Sequence, residues 1–347
     1  MPEQQSRAAL HRQKWQSTLM ELLRLTLNRT FQFVLLVFLV ASATFLLSTL
    51  IPGDFFTSRE LDPTVSRETI EGLRSNYGLD QPPLKQYAQW LRNAAALDLG
   101  FSLYYQLPVS AIVRRGLSHT LWIGLPALFL GLSAGIVFGS LHAWHVRRPL
   151  GTVLDFLAVI ALSLPSLVLG LGALILAARS QWFPLGSMNS PSLPDPGLVA
   201  WLWDRLHHLI LPVFCLGLPI AAYVERIQFS AASAEAESFF IRAARARGLH
   251  PARLFFQYWV RPALNPVLSV AGPLFAAALS GSLVIEILFA WPGLGQITYD
   301  ALFSRDLFLL VGCVTAGGVL LIIGNIAADV LLHVIDPRTR TSEEAES

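Results

Sequence analysis

Long apolar runs separated by short polar stretches dominate this chain. A helix needs about 20 apolar residues to cross a bilayer core. Six segments meet that length, near 31–51, 118–144, 153–178, 207–229, 267–289 and 308–332. The strict polar–apolar alternation of a membrane barrel is absent. Helices are therefore the expected spanning form, because each backbone polar group pairs inside its own segment. The predicted fold is an all-α membrane protein of six transmembrane helices.

Two polar stretches are longer than connections need to be. The first, 52–117, is broken by Pro82-Pro83, after which Leu84, Tyr87, Ala88 and Leu91 recur at helical spacing. That pattern predicts a surface helix, either a lid over the bundle or a docking surface. The second runs from 230 to 266 and holds Arg242, Arg245, Arg247, Arg253 and Arg261. It reads as a helix, a break at Gly248 and a second helix, with Phe239, Phe240 and Leu249 as apolar knobs. Two or three arginines would satisfy topology or touch anionic lipid. This insert carries more, and an amphipathic helix seated in a partner's groove uses that chemistry.

Composition supports the membrane reading. The chain has 347 residues, is 54% hydrophobic and only 14% charged, and has a mean hydropathy of +0.53. Soluble domains carry nearer ~25% charged residues. Lys and Arg set the orientation of a membrane protein. With the N-terminus inside, fifteen of them fall on cytoplasmic pieces and three on the two short outer loops. The long stretch 52–117 counts little, since such loops translocate regardless of charge. Both termini are expected inside: a cytoplasmic segment 1–30, a first span 31–51, an extracytoplasmic loop 52–117, a five-span domain 118–335 with the basic loop 230–266, and a cytoplasmic tail 336–347. A signal peptide cleaved near Ala41-Ser42-Ala43 is the competing reading of the N-terminus. The apolar run continues to Ile51, longer than such a leader uses.

Chemistry is sparse. Lys14 and Lys85 are the only lysines, and neither sits in a phosphate-binding G-x-x-x-x-G-K-[ST] loop. If ATP drives this protein, another chain hydrolyses it. Cys215 and Cys313 both lie in apolar runs, so neither a disulfide framework nor a metal cluster is expected. His142, His145, His207 and His208 flank spans, where such side chains anchor at the interface. The spacing of His142 and His145 also allows a metal site, but no Cys or carboxylate set accompanies it. Charges inside a membrane are functional candidates by default. Asp155 and Asp329 fall at the cytoplasmic ends of spans. Glu286 lies late in span five, before Trp291-Pro292-Gly293. It either faces a polar substrate path or bonds to a neighbouring helix. Gly131, Gly135 and Gly139 form a G-x-x-x-G row suited to close helix packing. Ser163-Leu164-Pro165-Ser166, with Gly170 and Gly172, marks a kinked span three.

The insert resembles the EAA loop of binding-protein-dependent ABC transporter permeases, of the dipeptide/oligopeptide/nickel subfamily and its first permease subunit type. The stretch concerned is Phe240-Ile241-Arg242-Ala243-Ala244-Arg245-Ala246-Arg247-Gly248-Leu249, with the family's proline at Pro266. In order along the chain, Leu50-Ile51-Pro52-Gly53-Asp54, Tyr77-Gly78-Leu79-Asp80-Gln81-Pro82, Asp98-Leu99-Gly100-Phe101-Ser102, Glu286 through Gly295, Asp306 and Asp336-Pro337-Arg338 are also similar to the family's segments. Departures are Arg242 in place of the general Glu, Asn265 before the proline, Pro262, and the aromatic run Phe255, Phe256, Tyr258 and Trp259.

The resemblance implies a type I importer permease bundle. It implies a second homologous permease subunit, two cytoplasmic ATPase subunits or domains and an extracytoplasmic solute-binding protein. This chain would be no enzyme and would bind no cofactor, ATP being used by the partner ATPases. It implies import across the cell inner membrane of peptides, nickel chelates or related small solutes. Phe239, Phe240, Arg242, Ala243, Ala244, Arg245, Arg247, Gly248 and Leu249 would form the ATPase-coupling helix and its end, and Glu286 would touch the substrate path. Two other classes fit less well. A secondary transporter needs midplane carboxylates on broken, repeated helices, and an intramembrane enzyme needs a nucleophile or metal set inside a span.

Overall fold

The computed structural model describes residues 34–50, 53, 55–57, 67–190 and 197–335. The expected segments 1–30 and 336–347 lie outside the described residues, as do the closing Asp336-Pro337-Arg338 and the side chain of Asp329. The chain divides into two units, Met1–Ala96 and Leu97–Ser347.

The first unit holds α1 (Val34–Leu50), α2 (Arg67–Asn76) and α3 (Pro83–Ala95). Pro82 is extended (φ −54°, ψ 140°) and Pro83 opens α3, where a missing N–H costs nothing. The surface helix expected here is present, but its buried stripe is shifted. Leu84 and Ala88 are exposed, while Trp90 is buried and its ring lies 6.4 Å from Phe45 of α1. Tyr87 packs 5.3 Å from Phe45, and its hydroxyl meets Ser42 Oγ at 2.6 Å. The large aromatics, with the most area to bury, override the aliphatic spacing.

The second unit opens with a short hairpin, β1 (Phe101–Ser102) against β2 (Leu107–Pro108). Then come α4 (Val109–Trp144), α5 (Pro149–Ser163), α6 (Ser166–Ser180) and α7 (Leu198–Ala236). The arginine-rich insert gives α8 (Phe239–Ala246) and α9 (Pro251–Arg253), a π-helical run Leu254–Val260, and the short α10 (Arg261–Ala263) and α11 (Asn265–Ser269). The unit closes with α12 (Ala271–Leu288), α13 (Leu294–Ser304) and α14 (Leu307–Ile335).

Helices α4, α7, α12 and α14 are long and apolar enough to cross a membrane, and α1 is shorter. The expected third span is not one helix. It is α5 and α6, bent by 102°. Pro165 offers no N–H and pushes Leu164 into an extended conformation (φ −89°, ψ 120°), so α5 stops at Ser163. The described helices therefore supply four spans, or five if the bent pair is one, with the shorter apolar α1 beside them.

Helices α4 and α7 pack closely, and the glycine row is the reason. A Cβ on Gly131 would stand 2.7 Å from Ile220 Cγ2, and one on Gly135 2.5 Å from Val224 Cβ. One on Gly139 would stand 2.6 Å from Glu225 O. Three successive turns thus admit only hydrogen at the contact.

Candidate functional site

The insert is locally well specified. Ser238 caps α8, its Oγ accepting the Ile241 N–H at 3.3 Å. The helix ends in a Schellman motif: Gly248 N–H donates to Arg245 O (3.0 Å) and Leu249 N–H to Ala244 O (3.4 Å). Gly248 takes φ +74°, the left-handed conformation such an end requires. The helix has two faces. Ile241 and Ala244 are buried in a cluster with Ala143, Ala232, Leu254, Trp259 and Ala263, so α8 sits on the terminal turns of both α4 and α7. Phe239 (79% exposed), Phe240 (58%), Arg242, Arg245 and Arg247 face outward. Leu249, expected as an outward knob, instead packs against the buried cluster as the apolar partner of Ala244 at the helix end.

The atypical aromatics belong to this seat. Trp259 Nε1–H donates to Ala232 O. Its ring lies 4.8 Å from Trp144, and Phe255 lies 5.2 Å from Trp144.

Just above α8, polar side-chain pairs tie three helices together. His142 of α4 donates from Nδ1 to Glu225 Oε1 of α7 at 2.6 Å, both side chains being buried, and stacks on Phe229 at 3.8 Å. Arg226 of α7 donates to Asp155 of α5 at 2.6 Å. Gln228 donates to Ser140 at 3.0 Å. Glu225 Oε2 has no hydrogen-bond partner; Arg226 Nε stands 3.8 Å away.

At the other end of α4, about 33 Å along the helix axis from His142, a different knot forms. Glu286 is fully buried. Thr120 Oγ1–H donates to its Oε1 at 2.8 Å, while Gly295 N–H (2.7 Å) and Gln296 N–H (3.3 Å) donate to Oε2. The carboxylate of α12 thereby caps the first turn of α13. Leu294 N–H donates to Thr120, Trp291 Nε1–H to His119 O, and His119 Nδ1 to Pro292 O. Glu286 is therefore hydrogen-bonded to the neighbouring helices. Asp306 does the same for α14. It accepts from Leu309 N–H (3.2 Å) at the helix start, and from Ser102 Oγ (2.7 Å) and Tyr104 N–H (3.0 Å) of the hairpin.

These motifs have relatives. Residues 135–341 match the family described as binding-protein-dependent transport system inner membrane component. Residues 22–110 match its N-terminal membrane-component family. The chain belongs to this family. It is 32% identical over 314 residues to the oligopeptide transport system permease protein AppB of Bacillus subtilis, covering 90% of this chain and 98% of AppB. It is 35% identical over 317 residues to a putative peptide transport system permease protein of Brucella abortus (91% and 98% covered). Oligopeptide transport system permease protein OppB of Escherichia coli is 30% identical over 321 residues (92% and 100% covered). A solved structure of the inward-facing MetNI methionine ABC transporter is 18% identical with a TM-score of 0.51, covering 65% of this chain and 96% of that one. It supports the fold alone.

The permease is thus the membrane subunit of an ABC importer of type I architecture, and not itself an enzyme. It is a multi-pass membrane protein. Such systems in general comprise a partner permease, an ATPase and a binding protein. Three of the quoted motifs are brought to one place: Asp98 through Ser102, Glu286 through Gly295, and Asp306 all meet around the first half of α4, α13 and the start of α14. They build structure there.

The other flanking histidines have local partners, His208 Nδ1 also standing 3.5 Å from Asp204 Oδ1. His145 Nδ1 bonds to Leu141 O, His207 to Trp182 O and His208 to Asp204 O. No group of three metal-binding side chains converges among the described residues. Sequence reasoning missed Glu225. The one signal in the chain was an acid inside a long apolar helix; its pairing with His142, 83 positions away, was not legible there. Glu225 also lines an apolar groove of about 690 Å³ between α4, α5 and α7.

Proposed function

We propose that this permease carries peptides inward across the cell inner membrane, with both termini and the α8 end on the cytoplasmic side. The excess of Lys and Arg on that side supports the orientation, and the relatives, which are oligopeptide and peptide transport permeases by name, support peptides over nickel chelates or other small solutes. The path is shared with a second homologous permease. A solute-binding protein delivers from outside, and two ATPase subunits or domains use ATP inside.

In this reading α8 is the coupling helix. The observation that carries it is the division of its faces: Ile241 and Ala244 anchor it to the ends of α4 and α7, while Phe239, Phe240, Arg242, Arg245 and Arg247 are left for a partner. Gly248 and Leu249 fix the helix end, and Ala243, between the faces, keeps the helix slim. A rigid lever seated on two long helices passes a displacement into the bundle. Glu286 holds the α12–α13 turn rather than touching solute.

The test is co-purification of the tagged permease with its neighbouring gene products. Phe239→Ala with Arg245→Glu alters only outward side chains, so the fold survives. Loss of the ATPases with retention of the partner permease is the expected result. ATPases retained at wild-type levels would remove α8 from the coupling role. Uptake of short peptides by the reconstituted importer tests the solute class.

A further inference from the structure

The glycine row sets how closely α4 and α7 approach, and it ends at Gly139, where an added Cβ would stand 2.6 Å from Glu225 O and 2.8 Å from Gln228 Cβ. One turn nearer α8 the contact changes in kind. His142 and Glu225 meet there through a hydrogen bond of 2.6 Å, their side chains only 5% and 4% exposed. Glu225 Oε2 has no hydrogen-bond partner, so the carboxylate depends on His142. A polar pair taken out of water holds a fold no better than apolar side chains of similar volume, and its best-attested use is to fix register. Small residues set the separation of two helices. A short, directional hydrogen bond also sets the rotation and axial position of one on the other. The bond lies next to the seat of α8. His142 precedes Ala143, and Glu225 lies two turns before Ala232, both members of the cluster that buries Ile241 and Ala244. Phe229 joins the two layers: it stacks on the His142 ring at 3.8 Å and packs against that same cluster. Contact therefore runs unbroken from α8 through Phe229 to His142 and Glu225.

We propose that His142 and Glu225 are positioning residues for coupling: their bond locks the α8 ends of α4 and α7 in one register, so that a displacement of α8 moves both helices as a unit. The proposal rests on the reading of α8 as the coupling helix and adds the residues that join its seat. Both side chains are buried between α4 and α7, away from the outward face of α8 that carries Phe239, Phe240 and Arg242. Without the bond α8 still presents that face, but its movement is lost as α4 slips past α7.

The experiment uses the assembled importer in proteoliposomes with its binding protein. Uptake of a mixture of short peptides and ATP hydrolysis are measured in the same sample. The deciding variant carries His142→Leu with Glu225→Leu, which exchanges the polar pair for an apolar one of similar volume and holds Tm at or near the wild-type value. Its ATPases are expected to co-purify, while uptake per ATP hydrolysed falls at least about tenfold, the scale of one hydrogen bond to a carboxylate. His142→Asn places a side-chain N–H where Nδ1 stands and keeps that ratio within about threefold of wild type. A wild-type ratio in the double variant overturns the proposal, because a stable apolar pair satisfies a merely structural role. Loss of the ATPases from the double variant also overturns it, by moving the pair from transmission to docking. So does a ratio for His142→Asn as low as that of the double variant. Should the double variant not fold, His142→Asn against His142→Ala decides on the same ratio, equal values overturning the proposal. The levels separate cleanly. ATPases retained by Phe239→Ala with Arg245→Glu defeat the coupling-helix reading beneath, and no peptide uptake by the wild type defeats the import reading. Normal coupling in the double variant defeats this inference alone.

Discussion

Gly135→Ala adds one methyl group where α4 meets α7. That methyl would lie 2.5 Å from Val224 Cβ, 2.6 Å from Val224 Cγ1 and 2.7 Å from Ala221 O. One of those atoms is backbone and the others belong to a stiff β-branched side chain, so the strain cannot be relieved by a rotamer change. Overpacking of this kind costs up to about 3 kcal/mol. Alanine gains about 1 kcal/mol of helix propensity over glycine. The net loss is about 2 kcal/mol, or a fall of ~4–8 °C in Tm by the scaling of larger domains. Gly172 offers a matched control, because nothing lies within 4 Å of the Cβ that Gly172→Ala would add. Gly172→Ala therefore keeps the propensity gain and holds or raises Tm. A thiol-reactive dye reports unfolding directly, since Cys215 and Cys313 are both buried and free. Equal Tm values for Gly135→Ala and Gly172→Ala would refute close packing as the basis of the α4–α7 contact.

Two further outcomes follow from the opposite end of α4. Glu286→Gln keeps the shape but cannot accept from Thr120, Gly295 and Gln296 together, and costs about 1–3 kcal/mol; combined with Thr120→Val in a double-mutant cycle it shows coupling above about 0.5 kcal/mol, and simple additivity would separate the two residues. Tyr105, ahead of α4, donates its hydroxyl to Asp300 at 2.8 Å, and burial together with that carboxylate raises the phenol above its ordinary value of about 10. The unfolded chain loses this proton first, so the stabilisation is complete below about pH 10 and falls as pH rises beyond it. Tyr105→Phe flattens that fall, and an unchanged Tm–pH curve above pH 10 would contradict the pairing.

Much of this was legible in sequence because a membrane imposes long, uniform signals. The apolar runs placed α4, α7, α12 and α14, and the glycine row marked α4 for close packing, though not against which helix. Positive residues and Gly248 marked the insert and its break. Boundaries were less legible. Helix α4 begins at Val109, nine residues before the expected span, because Pro108 and the β1–β2 hairpin start it within the polar stretch. The third span hid its break, since Pro165 alone does not say whether a helix kinks or turns through 102°. The polar partners were the least legible. Thr120 and Glu286 are 166 positions apart, and His142 and Glu225 are 83 apart. Nothing local in the chain pairs them; only the packing of α4 on α7 and α12 does.

The two ends of the bundle differ in what holds them, and that bears on where motion is cheap. At the Glu286 end, neutral and charge-assisted hydrogen bonds are buried and mutually supporting, which makes each costly to break. Along α4 and α7 the glycine row leaves no slack. At the α8 end, α5 is tied to α7 by Arg226 and Asp155, whose side chains are 32% and 49% exposed. A pair that open contributes about 0–1 kcal/mol. Beyond it the chain turns at Leu164-Pro165, where no helical hydrogen bond crosses the proline nitrogen. A displacement at the α8 end therefore meets a stiff α4–α7 post on one side of the groove and, on the other, an already broken α5–α6 pair held to α7 by this open ion pair and the small cluster of Ala158, Ala161 and Ala222. The wall with least to lose is α5, so opening the groove between α5 and α7 is the cheapest response this architecture offers to a displacement at that end.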